Sequence, residues 1–185
     1  MKRASPPCWP LRWRELARRA EPAITQGVSS DTPPTGASTT IYVDADACPV
    51  KDEAVRVAER HGLDIHFVSN VFMRLPEGPL IHRVVVAEGP DAADDWIAER
   101  IEARDIAVTA DIPLAARCLK KGAAVIGPTG KPFTEAGIGM ALAMRELSQH
   151  LRETGESKGY NASFTKQDRS RFLEALELAV RRGRG

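Results

Sequence analysis

From Thr39 onward the apolar positions alternate between two rhythms. Short apolar runs of strand length occur at "TIYVD" (40–44), "LDIHFVS" (63–69), "RVVVA" (83–87), "DIAVTA" (105–110) and "AAVIG" (123–127). Runs of this kind fit strands buried on both faces. Between them lie stretches with helical spacing. In "PVKDEAVRVAERHG" (49–62), Pro49 suits a first turn, Gly62 a C-cap, and Val50, Ala54, Val57 and Ala58 share one face. "DAADDWIAERIEAR" (91–104) pairs Ile97 with Ile101 and offers Asp91 as N-cap. "DIPLAARCLKKG" predicts a short helix ending at Gly122, and a longer one is predicted from about Thr134 to Gly155, with Met140, Leu142 and Met144 expected in the core. Thr165 and Asp168 form a capping-box pattern ahead of the last helix. "NVFMRLPEGPLIH" reads as a long loop between the second and third strands.

Strands separated by helices imply right-handed crossovers and a mainly parallel sheet covered on both faces. The pattern thus predicts an α/β fold, a three-layer α/β/α sandwich around five strands. Residues 39–185 form the expected single domain. Residues 1–38 break the rhythm: "LRWRELARRA" suggests a short basic helix, and Ser29 to Ser38 reads as a disordered linker.

Composition excludes several classes. With 43% apolar and 28% charged residues in 185, the chain is an ordinary globular one. No apolar run has membrane-spanning length. The net charge of +1 advertises no nucleic-acid surface, so any such surface must be a local patch. Three cysteines without a CxxC pair, and no signal-peptide core, point to a reducing, cytoplasmic setting. The histidines lack zinc-ligand spacing. "GPTGK" (127–131) lacks the spacing of a phosphate-binding loop, and Cys48 suits a small buried residue better than a reactive thiolate.

The acids change the picture. In an open parallel sheet all strand C-termini share one edge, where ligands bind. Asp44 and Asp46 follow the first strand, Asp94 and Asp95 the third, and Asp111 the fourth. Each could simply start a helix, where a carboxylate satisfies free amides. Asp44 and Asp46 are not both needed for that. Two carboxylates about 4 Å apart repel by roughly 4 kcal/mol at an effective dielectric of about 20, so a cluster calls for a cation or raised pKa values. Oxygen donors without histidine point to Mg²⁺ or Mn²⁺. Lys51, Asn70, Thr109, Lys131 and Arg145 are the candidates for contacting a phosphate-bearing substrate.

"VDADACPVK", "SN", "GPDAADDWI", "DIAVTADIPLAARCLKKGA" and "FTEAGI", in this order, resemble the bacterial YaiI/YqxD family over residues 40–182. That family is grouped on sequence grounds with PIN-like nuclease domains. The resemblance implies a metal-dependent acidic site. Asp44 matches the acid ending the first strand, Asp94 (with Asp95 as the alternative) the acid opening the helix after strand three, and Asp111 the acid after strand four. Asp46 belongs to the family's own "DADACP" block. Two departures stand out: Ala110 where glutamine is expected, and a glycine- and proline-poor "GESKGYNASFT".

The expected function is a Mg²⁺- or Mn²⁺-dependent nuclease acting on RNA rather than DNA, with no membrane partner. Asp44, Asp94 and Asp111 hold metal, and Asp46 serves as ligand or base. Two alternatives stay open. One is a phosphatase of the haloacid dehalogenase type using the D-x-D at 44–46. The other is a non-catalytic nucleic-acid-binding module whose acids only cap helices.

Overall fold

The computed structural model describes residues 39–46, 48–87, 89, 91–154 and 163–183. The basic segment, the 29–38 linker and most of "GESKGYNASFT" lie outside the described residues.

Among the described residues six strands form one sheet in the order β3-β2-β1-β4-β5-β6. They are β1 (Ile41–Asp44), β2 (Ile65–Ser69), β3 (Ile81–Val85), β4 (Ile106–Val108), β5 (Ala124–Ile126) and β6 (Pro132–Phe133). The first five pair in parallel, and β6 joins β5 antiparallel. The helices are α1 (Lys51–His61), α2 (Ala92–Arg100), α3 (Ile112–Lys120), α4 (Glu135–Glu153) and α5 (Lys166–Gly183). The apolar pattern predicts five strands. The sixth escapes it because two residues cannot show alternation, and its Pro132, which cannot donate to a ladder, suits an edge.

Alternation along the strands sorts the core into two layers. Ile41, Val43, Ile65, Phe67, Ile106 and Val108 face one side. There α1 presents the predicted Val50, Ala54, Val57 and Ala58, all fully buried. α5 adds Phe172, Leu176 and Val180, also fully buried, at a four-residue spacing. Each such side chain contributes roughly 1.5–3 kcal/mol through burial. Tyr42, Val68, Ala107 and Val125 face the other side, against Ala93 and Ile97 of α2 and Leu114 and Cys118 of α3.

The chain steps from β1 to β2 to β3 in one direction with its connections on the first face. It then returns across β1 to β4 and β5 with α2 and α3 on the second face. A right-handed connection changes face when the direction of winding changes, so the order 3-2-1-4-5 follows from handedness. It also parts the connections at the C-terminal ends of β1 and β4, where a crevice opens. Between β2 and β3 the crossover is the 70–80 loop, seated on the first layer through Met73 and Leu75.

Local signals mostly hold. Gly62 caps α1 with φ +62°. Thr165 and Asp168 exchange backbone-to-side-chain bonds at 2.9 and 3.2 Å. The predicted core role of Met140 and Met144 is overturned: they are 70% and 53% exposed, and Leu142 is only half-buried. α4 is apolar on two sides, and packing against α3 and the second layer uses only the side carrying Ile138.

Candidate functional site

Strand pleat aims the first acid. Tyr42 faces the α2/α3 layer, so Asp44, two residues on, leaves the sheet on that side at its C-terminal end. Ala107 and Thr109 repeat the relationship on β4. Thr109, 1% exposed, donates from Oγ1 to Asp44 Oδ2 at 2.9 Å and accepts the backbone N–H of Asp111 at 2.9 Å. One hydroxyl therefore joins the end of β1 to the start of α3.

Asp111 is the N-cap of α3, as the helix-start reading of the sequence allows. Its Oδ2 accepts the N–H of Leu114 at 3.0 Å. Its Oδ1 lies 3.5 Å from the guanidinium of Arg145 in α4. Asp94 sits in the first turn of α2 and projects into the same field. Asp95 is turned away: it pairs with Arg117 of α3 at 2.7 Å on an exposed surface. Asp91 occupies the cap position of α2 with φ +64° but makes no side-chain cap bond, so the predicted cap is absent in its bonding. An aspartate tolerates that left-handed backbone better than most residues.

The opening DxD has no helix-starting duty. α1 begins at Lys51, with Val50 in the cap position and no side-chain cap bond. Asp46 is exposed on the lip, where its Oδ1 accepts the backbone N–H of Asn70 at 3.3 Å. The Asn70 side chain donates from Nδ2 to the Gly89 carbonyl at 3.3 Å, and its buried Oδ1 has no hydrogen-bond partner among the described residues. Thus β1, β2 and the segment leading into α2 meet at this lip.

Burial and neighbouring acids act on Asp44 and Asp94. Burial raises the Asp44 carboxyl above its ordinary range, and the charges of Asp46 and Asp111 add to the rise. The Thr109 hydroxyl and the Asp46 N–H act in the opposite sense. Asp94 is pushed up to about 6, first by burial and then by Asp111, Asp44 and Asp91, with Arg117 opposing. Cys48, 8% exposed, is pushed up by burial to about 11, so it is a thiol and not a nucleophile at neutral pH.

The remaining predicted residues divide. Arg145 reaches an acid, and Asn70 and Thr109 are built into the lip. Lys51 opens α1, on the helix layer opposite the one Asp44 faces. Lys131 lies in the β5–β6 turn and lines a shallow groove with Thr129, Arg171 and Glu174. Gly130 lets that turn approach α5: a Cβ there would sit 2.5 Å from the Arg171 carbonyl carbon, at a φ of +81°. A more apolar groove of about 450 Å³ between β6 and α5, lined by Phe133, Ala175 and Leu178, is separate from the acids.

Whether an ion fits depends on the donors present. They are carboxylate oxygens, and the rise at Asp44 and Asp94 comes first from burial and then from neighbouring negative charge, both of which a cation would relieve. Among the described residues no three acidic, histidine or cysteine side chains converge tightly enough to form a ready-made cage. Mg²⁺ does not need one: it retains several waters and uses one or two carboxylates together with substrate phosphate. The donor set fits on those terms.

Among the described residues no helix is long and apolar enough to cross a membrane. No solved structure matches the chain. Curated relatives do. A UPF0178 protein of Parvibaculum lavamentivorans is 66% identical over 142 residues, covering 77% of this chain and 93% of the relative. Those of Rhizobium meliloti and Mesorhizobium japonicum are 63% and 64% identical over 77% of this chain, covering 97% and 92% of their own lengths. A family model described as "Uncharacterized BCR, YaiI/YqxD family" matches residues 42–182, from β1 to the last turn of α5, so every acid discussed above lies within the match, and the chain belongs to the YaiI/YqxD family.

Proposed function

We propose that this chain is a Mg²⁺- or Mn²⁺-dependent phosphodiesterase that cleaves single-stranded RNA at the crevice between β1 and β4. The observation that carries the reading is the placement of Asp44, Asp94 and Asp111, acids from three separate segments brought to the edge where the winding of the sheet reverses, with burial first and neighbouring carboxylates second raising the pKa of Asp44 and Asp94. A cluster that burial and repulsion both disfavour is maintained without any helix-starting need for Asp44. The grouping of the family with PIN-like nuclease domains supports the same reading.

Asp44 and Asp94 would hold the ion, with Asp111 at its edge. Bound there, such an ion would supply a water activated for attack and offset charge on the phosphate. Thr109 keeps Asp44 oriented through its hydroxyl. Asp46, on the exposed lip, is placed to position or deprotonate a water. Arg145 offers its guanidinium to a phosphate oxygen, and the amides at the start of α2 and α3 favour anionic groups there.

The test is cleavage of end-labelled single-stranded RNA by the purified full chain with Mg²⁺, Mn²⁺ or EDTA, alongside Asp44→Asn and Asp111→Asn. Asparagine keeps the α3 cap, so Asp111→Asn should fold normally and cut at least 100-fold more slowly, a loss comparable to removing one electrostatic catalytic group. Cleavage that survives EDTA, or that is as fast in the variants as in wild type, overturns the proposal.

A further inference from the structure

In the loop that starts at the lip residue Asn70, the chain displays an aromatic ring that the apolar core does not cover. Phe72 is 70% exposed and its neighbour Val71 is 69% exposed. The guanidinium carbon of Arg83, on β3, lies 4.7 Å from the centre of the Phe72 ring. A ring serving only to pack would be covered by the apolar layer beneath, as Met73 and Leu75 of the same loop are. Here the loop is held so that the ring faces outward. Ser69, fully buried, donates from Oγ to the Val71 carbonyl at 2.7 Å, while Asn70 ties the loop to Asp46. Phe72 is thus two residues, or about 7 Å of extended chain, from a residue bonded to the acid lip.

Resting on the nuclease reading of the acid site, we infer that Phe72 and Arg83 form a stacking platform for one unpaired base of a single-stranded nucleic acid whose backbone runs into the β1–β4 crevice. The chemistry selects this occupant. A base stacks on an exposed ring irrespective of its sequence, and an arginine plane over the same ring attracts both the base and its phosphate. Exposed Arg74 adds positive charge in the same loop. A peptide side chain or a second copy of the chain would use the apolar area of Phe72 and have no need of its π face.

The experiment measures fluorescence anisotropy of a short labelled single-stranded RNA with the full chain, in EDTA so that nothing is cut. Phe72→Ala should weaken binding about ten-fold, within the range found for loss of one stacked base. Phe72→Trp should retain the affinity, and Phe72→Leu should be as weak as alanine. With the base-free sugar–phosphate version of the strand, wild type and Phe72→Ala should bind alike. The inference is overturned if wild type does not bind the RNA, if alanine or leucine matches wild type, or if the base-free strand shows the same loss. Because Phe72 is exposed, thermal melts of the variants should match wild type. Cleavage separates the two readings. Metal-dependent cutting with unchanged binding by Phe72→Ala sinks the platform alone, and weakened binding in a protein that never cuts retains the platform and sinks the nuclease.

Discussion

Thr109 and Asp44 are joined by a 2.9 Å hydrogen bond from hydroxyl to carboxylate, and the same hydroxyl accepts the N–H of Asp111 at 2.9 Å. It is the one described side chain shown bonded both to the β1 acid and to the residue that caps α3. Sequence alone suggests Thr109 as a substrate contact. In the structure its oxygen is committed to holding the site together.

Replacing Thr109 with valine keeps the shape and removes both bonds. The part-buried Asp111 N–H loses its acceptor and Asp44 loses a donor that lowers its pKa. The expected cost is about 1–3 kcal/mol of stability from the unpaired groups, read by urea unfolding. The Asp44 carboxyl should also titrate at still higher pH by carbon-detected NMR. Thr109→Ser retains the hydroxyl and should show neither change. An unshifted Asp44 in the valine variant would remove Thr109 from its positioning role.

Asp94 makes the protein less stable at neutral pH than it would be without that charge. Its folded pKa of about 6 exceeds the ordinary 3.8, so its stability contribution is present below 3.8 and lost as pH rises through about 6. Asp94→Asn should therefore raise the metal-free protein's stability at pH 7. The gain is about 1 kcal/mol once solvent screening of a part-exposed group is allowed for. The advantage should vanish near pH 4. Mg²⁺ should raise the wild-type melting temperature and leave the variant's nearly unchanged, since only a folded state that binds the ion is stabilised by it. Equal melting of both proteins at pH 7 without metal would mean that the acids do not strain one another.

How far the sequence reveals this arrangement depends on the kind of signal. The buried face of α1 is legible because Val50, Ala54, Val57 and Ala58 recur at helical spacing and the intervening residues are polar. α4 carries apolar residues on opposite sides, and periodicity cannot say which side meets α3. Met140 and Met144 are consequently on the surface. The gathering of Asp44, Asp94 and Asp111 is legible because parallel strands must end at one edge. The choice between Asp94 and Asp95 is not. Neighbours on a helix point about 100° apart, and Arg117, from another helix, draws Asp95 outward. Phe72 and Arg83 belong to an irregular loop and an edge strand, with no shared period to link them.

A ladder across β1, β2 and β3 leads to the last prediction. Tyr42, His66 and His82 are aligned in register, with ring centres 5.3 and 4.6 Å apart. Trp96 of α2 lies 5.9 Å from the His66 ring, and the buried His66 Nδ1 has no hydrogen-bond partner among the described residues. Burial first, then the neighbouring His82 and Arg100, lower the His66 pKa from 6.5 to about 4, with Asp64 opposing. The unfolded chain therefore binds a proton that the folded one refuses. His66 contributes stability that is present above pH 6.5 and lost as pH falls through about 4. After allowance for screening, the loss is about 2 kcal/mol. His66→Phe keeps a flat ring between Tyr42 and His82 and has nothing to protonate. Urea unfolding from pH 7 to pH 4 should show a shallower decline for this variant than for wild type, against the opposite trend set by Asp94. Parallel declines would mean that His66 is not the group whose protonation weakens the fold over this range.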